Sequence, residues 1–183
     1  MRIIAGGLGG RVLKTVEGEG YRPAMGRTRE ALFSMLASRG LVWGETRVLD
    51  LFAGSGSLAF EALSRGAPSA MLVENAATAM RCLRENVAAL GLEGQAHPIK
   101  ECVLRFLKRW PPEGFELAFM DPPYRKNLVE PALRALADRG WLAPGALVTA
   151  EIERDARLTP PASFNLLAER IFGQTRICIW TAV

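Results

Sequence analysis

Asp121-Pro122-Pro123-Tyr124 closes a strand-like run, Phe115-Glu116-Leu117-Ala118-Phe119-Met120. Two successive prolines remove two backbone donors and fix two φ angles, so neither helix nor sheet continues through them. The chain has to turn there. The turn leaves a carboxylate, an unpaired carbonyl and an aromatic ring at the end of a buried strand. That set suits a flipped nucleobase, with acceptors for an exocyclic amine and a ring to stack on. Taken alone, the motif is equally a sharp loop at a strand end.

A second set lies upstream, in Asp50-Leu51-Phe52-Ala53-Gly54-Ser55-Gly56. Glycines between a strand and a helix let backbone approach a bound molecule, and the helix start offers free N–H groups. The dinucleotide pattern G-x-G-x-x-G fails, because Ala59 stands three residues beyond Gly56. Asp50 before the glycines would repel a pyrophosphate, but it could accept a hydrogen bond or steady an ammonium group. Glu74 ends the next strand, where an acid is placed to take both hydroxyls of a ribose. The demand is for a nucleoside with a cationic amino-acid tail and no phosphates. S-adenosylmethionine meets it.

The elements that must hold these residues alternate. Strands are expected at Arg47–Asp50, Ala70–Glu74, Gln95–Lys100, the run into Asp121, and Ala146–Glu151. Helices are expected at Ser57–Arg65, Ala76–Leu90, Val103–Arg109 and Leu128–Arg139. Repeated βα units demand a mostly parallel sheet covered on both faces. Ser163–Arg170 and Arg176–Ala182 read instead as two strands joined near Gly173, an antiparallel C-terminal hairpin. Residues 1–40 form an extension: β-prone pieces around Gly6-Gly7-Leu8-Gly9-Gly10, then a helix opened by Arg22-Pro23 and stopped near Gly40. The fold class is therefore α/β, a Rossmann-like sheet in a single domain, with residues 41–183 as its core.

Composition bounds the alternatives. The chain has 183 residues, 49% hydrophobic and 23% charged, enough to bury one sizeable core. No apolar run reaches the roughly 18 residues a bilayer needs, and the start does not read as a signal peptide. Cys82, Cys102 and Cys178 are odd in number and widely spaced, as expected for reduced thiols in a cytoplasmic protein. With His97 as the single histidine, neither a metal site nor a Ser-His-Asp triad is expected. Residues 1–29 carry six basic groups against Glu17 and Glu19, so the formal +4 belongs to that segment. A basic segment on a neutral domain is what contacts with a phosphate backbone need. The plainer reading is a solvated basic face.

The chain resembles the bacterial small-subunit ribosomal RNA guanine-N2 methyltransferases. The likeness runs through Met1-Arg2-Ile3-Ile4-Ala5-Gly6, Arg22-Pro23, Arg27 to Phe33, Leu49 to Ala67, and Asp121 to Tyr124. It implies a class I methyltransferase fold, S-adenosylmethionine as methyl donor, and methylation of a guanine exocyclic amine in small-subunit ribosomal RNA; a monomer is expected, with the oligomeric state left open. It further implies that Asp50, Gly54, Gly56 and Glu74 line the cofactor site, joined by Phe52, Ala53, Asn75 and Cys102. Either Glu101 or Cys102 would face the adenine. Asp121, Pro122 and Tyr124 match the amine-methylating motif and are the candidate catalytic residues. Arg2, Arg11, Arg22, Arg27 and Arg29 are the candidates for RNA contacts, Arg29 having a local ion pair with Glu30 as its alternative. Ala24 and Gly26 depart from the family pattern by losing a hydroxyl and a carboxylate. Two other readings remain: an adenine-N6 methyltransferase, which usually carries a recognition domain this chain has no room for, and a non-catalytic RNA-binding assembly factor.

Overall fold

In a computed structural model of the protein, residues 1–16, 26–111 and 113–183 are described. Arg22 and the start of the helix expected after Pro23 lie outside them. The order is α1 (Gly26–Ala37), a single 3-10 turn (Trp43–Glu45), β1 (Val48–Leu51), α2 (Ser57–Ser64), β2 (Ala70–Glu74), α3 (Ala77–Leu90), β3 (Ala96–Lys100), α4 (Val103–Phe106), β4 (Phe115–Met120), α5 (Val129–Asp138), β5 (Leu142–Glu153), β6 (Phe164–Phe172) and β7 (Thr175–Ala182). The seven strands form one sheet in the order β3-β2-β1-β4-β5-β7-β6. β1 through β5 run parallel, and β7 inserts antiparallel between β5 and β6. The Rossmann-like sheet with a reversed C-terminal pair, expected from the sequence, is the fold observed.

β1 is buried throughout and lies between β2 and β4. Its side chains alternate between two cores. Val48 joins Phe33, Ala59, Phe60, Leu83 and Phe119, whereas Leu49 and Leu51 join Val103, Leu107, Leu133 and Trp141. That period of two puts α1, α2 and α3 on one face and α4 and α5 on the other. After β3 the chain returns across the sheet to place β4 on the far side of β1. The reversal opens a crevice at the carboxyl ends of β1 and β4, the switch point at which such sheets bind ligands. At the opposite end Arg47 grips Glu116 through Nε at 3.1 Å and Nη2 at 2.5 Å, holding the starts of β1 and β4 together.

Boundaries differ from expectation by more than two residues at two places. α4 stops at Phe106 rather than Arg109. β5 begins at Leu142, before the expected Ala146, because an irregular stretch with Gly145 at φ 75° keeps pairing with Phe115 before the regular register resumes. The N-terminal hairpin is reduced to one antiparallel bridge, Arg2 to Val12. Among the described residues no helix is long and apolar enough to cross a membrane.

Candidate active site

The turn after β1 is built on left-handed backbone: Phe52 at φ 68°, Gly54 at 55° and Gly56 at 84°. Phe52 has a Cβ and is strained in that region, by about 1 kcal/mol or more. The turn is fixed by Ala53 N–H donating to Val73 O at 3.0 Å and Gly56 N–H donating to Ala53 O at 2.7 Å. Asp50 sits beneath it. Its Oδ2 accepts from Ala59 N–H at 3.2 Å, satisfying one of the free donors of the first turn of α2, whose N-cap Gly56 has no side chain to do so. Burial pushes the Asp50 carboxyl up to about 7; the Ala59 amide opposes that rise and the charge of Glu74 adds to it.

A cavity of about 890 Å³ opens above this turn. Phe52, Ala53, Gly54, Glu74, Asn75 and Cys102 all line it. Two other expectations need correction. Asp50 and Gly56 do not line the cavity. Asp50 is turned to Ala59, and Gly56 is required by packing: a Cβ there would stand 2.4 Å from Phe60 Cε2 and 2.5 Å from Leu83 Cδ1. The carboxylate of Glu74 accepts from Gly54 N–H at 2.9 Å and from Ala76 N–H at 2.6 Å, so β2 holds the glycine turn in place. Between the alternatives after β3, Cys102 lines the cavity, while Glu101 pairs with Arg109.

The other wall comes from the end of β4. Asp121, Pro122, Pro123 and Tyr124 line the same cavity, so the two sets picked from the sequence face one space. The Tyr124 hydroxyl lies 2.6 Å from the Thr175 hydroxyl on β7, which tethers the far end of the ring. Glu151 on β5 also lines the cavity, a place that nothing local in the sequence signals. Burial first, then the charges of Glu151 and Asp50, push the Asp121 carboxyl well above the usual carboxylate range. Burial also raises the Glu151 carboxyl, to about 7. The following turn carries Arg125 at φ 61° and Asn127 at φ 49°, and borders a smaller adjoining cavity of about 270 Å³.

The N-terminal segment is stapled to α2 and α3. Glu61, fully buried, accepts from Ile4 N–H at 2.7 Å, Ala5 N–H at 3.1 Å and Arg65 Nε–H at 2.9 Å. Asn86 accepts from Lys14 N–H at 2.9 Å and donates to the carbonyls of Lys14 and Ser55, both at 3.0 Å. The segment thus arrives at the cavity, where Thr15 and Val16 form part of the wall. Glycine-rich sequence gave no sign of this destination.

The arginines divide. Arg2, Arg11 and Arg27 are exposed. Arg2 and Arg11 each use one N–H on a backbone carbonyl, of Gly10 at 2.8 Å and Ala89 at 2.6 Å. Arg29 corrects the expectation of an RNA contact. It is 2% exposed, and its guanidinium is directed to the Arg2 carbonyl and the Met1 sulfur. It does not form the alternative pair with Glu30 either; its nearby carboxylate is Glu61.

Among the described residues no group of three or more His, Cys, Asp or Glu side chains is arranged to hold a metal ion. The lining combines the Glu74 carboxylate, backbone groups and apolar side chains with Asp121, Glu151, Arg125 and Lys126, a set that fits a nucleoside with a charged amino-acid tail.

Comparison with known proteins agrees with this geometry. The ribosomal RNA small subunit methyltransferase D of Haemophilus influenzae is 40% identical over 177 residues, covering 94% of this chain and 89% of that one. The Escherichia coli protein of the same description is 39% identical over 176 residues, covering 95% and 86%. The solved structure of the Escherichia coli protein yhhF superposes with a TM-score of 0.86 at 37% identity, over 100% of this chain and 97% of that chain. A family model described as Conserved hypothetical protein 95 matches residues 1–181. The chain, matched by that model over almost its entire length, belongs to this family, with the class I methyltransferase fold.

Proposed function

We propose that the protein is an S-adenosylmethionine-dependent methyltransferase that modifies the exocyclic N2 amine of a guanine in small-subunit ribosomal RNA. The observation that carries this reading is the single cavity shared by the glycine turn with Glu74 and by Asp121-Pro122-Pro123-Tyr124. The names of the Haemophilus and Escherichia relatives support the substrate class. A ribosomal RNA substrate implies a cytoplasmic setting.

Glu74 would accept the ribose hydroxyls, Gly54 and Ala53 would bring backbone close to the amino-acid tail, and Asn75, Cys102 and Val103 would border the adenine. When bound, S-adenosylmethionine supplies an electrophilic methyl group. A guanine amine is a poor nucleophile because its lone pair is delocalised into the ring, and positive charge builds on the nitrogen during attack. Asp121 and the Pro122 carbonyl offer fixed acceptors for that charge, and their order precedes the reaction. The prolines cannot compete for those carbonyls, since they have no N–H. Tyr124, tethered at its hydroxyl, provides a face for the extruded base, a contact worth roughly 1–3 kcal/mol in other stacking platforms. Asp121 can also take the proton that the methylated amine releases.

Arg2, Arg11 and Arg27, with Arg22 outside the described residues, are the proposed backbone contacts. The test is to incubate ribosomal RNA, and separately small subunits, with the protein and methyl-labelled S-adenosylmethionine, and to map the label. N2-methylguanine in small-subunit RNA is the expected product. Label on adenine, or binding of RNA with no transfer to either substrate, would overturn the reading.

A further inference from the structure

Asp121 and the Pro122 carbonyl are acceptors, and acceptors suit the amine of adenine as well as that of guanine. Glu151 breaks this symmetry. The parallel register pairs Met120, the last residue of β4, with Ala150, so Asp121 leaves β4 next to the position of Glu151 on β5, and the charge of Glu151 acts on it. Neighbouring strands lie roughly 4.8 Å apart and side chains in register share a face. Both side chains line the larger cavity, and Glu151 also lines the smaller one beside it. Among the described residues neither carboxylate has a hydrogen-bond or ion-pair partner, so two adjacent acids are left facing an open space.

We propose that Glu151 determines base identity by accepting a hydrogen bond from N1–H of guanine while Asp121 accepts from the neighbouring N2 amine. The inference rests on the guanine-methylating reading and adds a residue to it. Burial raises both carboxyls, and the charge of Glu151 raises that of Asp121 further. Unprotonated carboxylate oxygens turned to the cavity are acceptors only. Guanine presents two adjacent donors, N1–H and N2–H, and matches them. Adenine presents a donor amine beside the N1 acceptor, which would meet an acceptor at Glu151. A mismatch of this kind discriminates between bases by about 10- to 100-fold.

The experiment uses the RNA segment methylated by the wild-type protein, carrying either guanosine or 2-aminopurine riboside at the target. 2-Aminopurine keeps the N2 amine and lacks N1–H. The ratio of kcat/KM for the two substrates is measured for the wild type, Glu151→Gln and Glu151→Asp. S-adenosylmethionine affinity and melting temperature are followed as controls of folding. The wild type should favour guanosine by about 10- to 100-fold. Glu151→Gln, whose amide can donate to N1, should bring the ratio towards one, and Glu151→Asp should keep a preference for guanosine at a lower rate. A ratio unchanged in Glu151→Gln, or the same in both variants, overturns the proposal. So does a wild type without preference. If the wild type methylates no guanine, the function itself fails, and that result is seen before any variant is made.

Discussion

At the residue scale the site is a set of acids held in unequal surroundings. Among the described residues Asp121 has no cation paired with it, and its place at the end of β4 gives it acceptor capacity towards the cavity. Asp121→Ala is expected to leave S-adenosylmethionine binding near the wild-type value in a calorimetric titration. Its single-turnover methyl transfer should fall by about 100-fold or more, the scale on which loss of one fixed electrostatic interaction acts in other enzymes. Near-normal transfer would remove Asp121 from the chemistry. Asp50 carries a different consequence. Its folded value, raised to about 7 from the ordinary 3.8, means that between those two pH values the native site holds a proton the unfolded chain has released. Stability therefore falls as pH rises across that window. Asp50→Asn keeps an oxygen for Ala59 N–H and removes the titration. The loss of melting temperature between about pH 5 and pH 8 should be smaller in this variant than in the wild type. It should not vanish, since Asp121 and Glu151 titrate in the same sense. A pH trend equal in both proteins would mean that Asp50 is ionised throughout.

At the scale of elements, the glycine turn and the N-terminal segment are each held by a side chain from a neighbouring element. Glu74 on β2 fixes the turn after β1, and Glu61 on α2 fixes the backbone of Ile4 and Ala5. Glu61 has no exposed surface, and its removal strands two amides and the Arg65 guanidinium. Glu61→Ala should lower the unfolding free energy by about 3 kcal/mol, the scale for orphaning buried partners of a charge. Denaturant unfolding checks this, and a change below about 1 kcal/mol would show that water reaches those amides instead. Because Asn86 links the same segment to Ser55, partial release of the arm should also weaken cofactor binding.

At the scale of the whole molecule, the net positive charge is concentrated in the N-terminal segment. Its described residues 1–16 are stapled to α2 and α3 so that Thr15 and Val16 reach the cavity, which Arg125 and Lys126 also line. Arg11→Gln with Arg27→Gln should raise the KM for RNA and flatten its dependence on salt, by a log–log slope of about 0.7–0.9 for each phosphate no longer neutralised. Arg29→Gln should leave that slope alone and lower the melting temperature, because Arg29 binds the segment from within. An unchanged slope in the double variant would identify Arg11 and Arg27 as a solvated face.

Periodicity and punctuation in the chain were enough to determine the layers, the alternation of strands and helices, and the reversed final pair. Short-range sterics govern all three: prolines end β4, Gly91 ends α3, and alternating apolar residues assign each strand's faces. The same local rules marked Gly54, Glu74 and Asp121, since each sits where a strand must stop. What they could not reach was anything decided by neighbours far along the chain. Gly56 is glycine because of Phe60 and Leu83, and Arg29 is buried because the first residues fold back over α1. Glu151 stands beside Asp121 only through the pairing of β4 with β5, which a helix separates in sequence. Tertiary structure alone brought those side chains together. It turned a motif that suits any exocyclic amine into a pair of acids able to tell one purine from another.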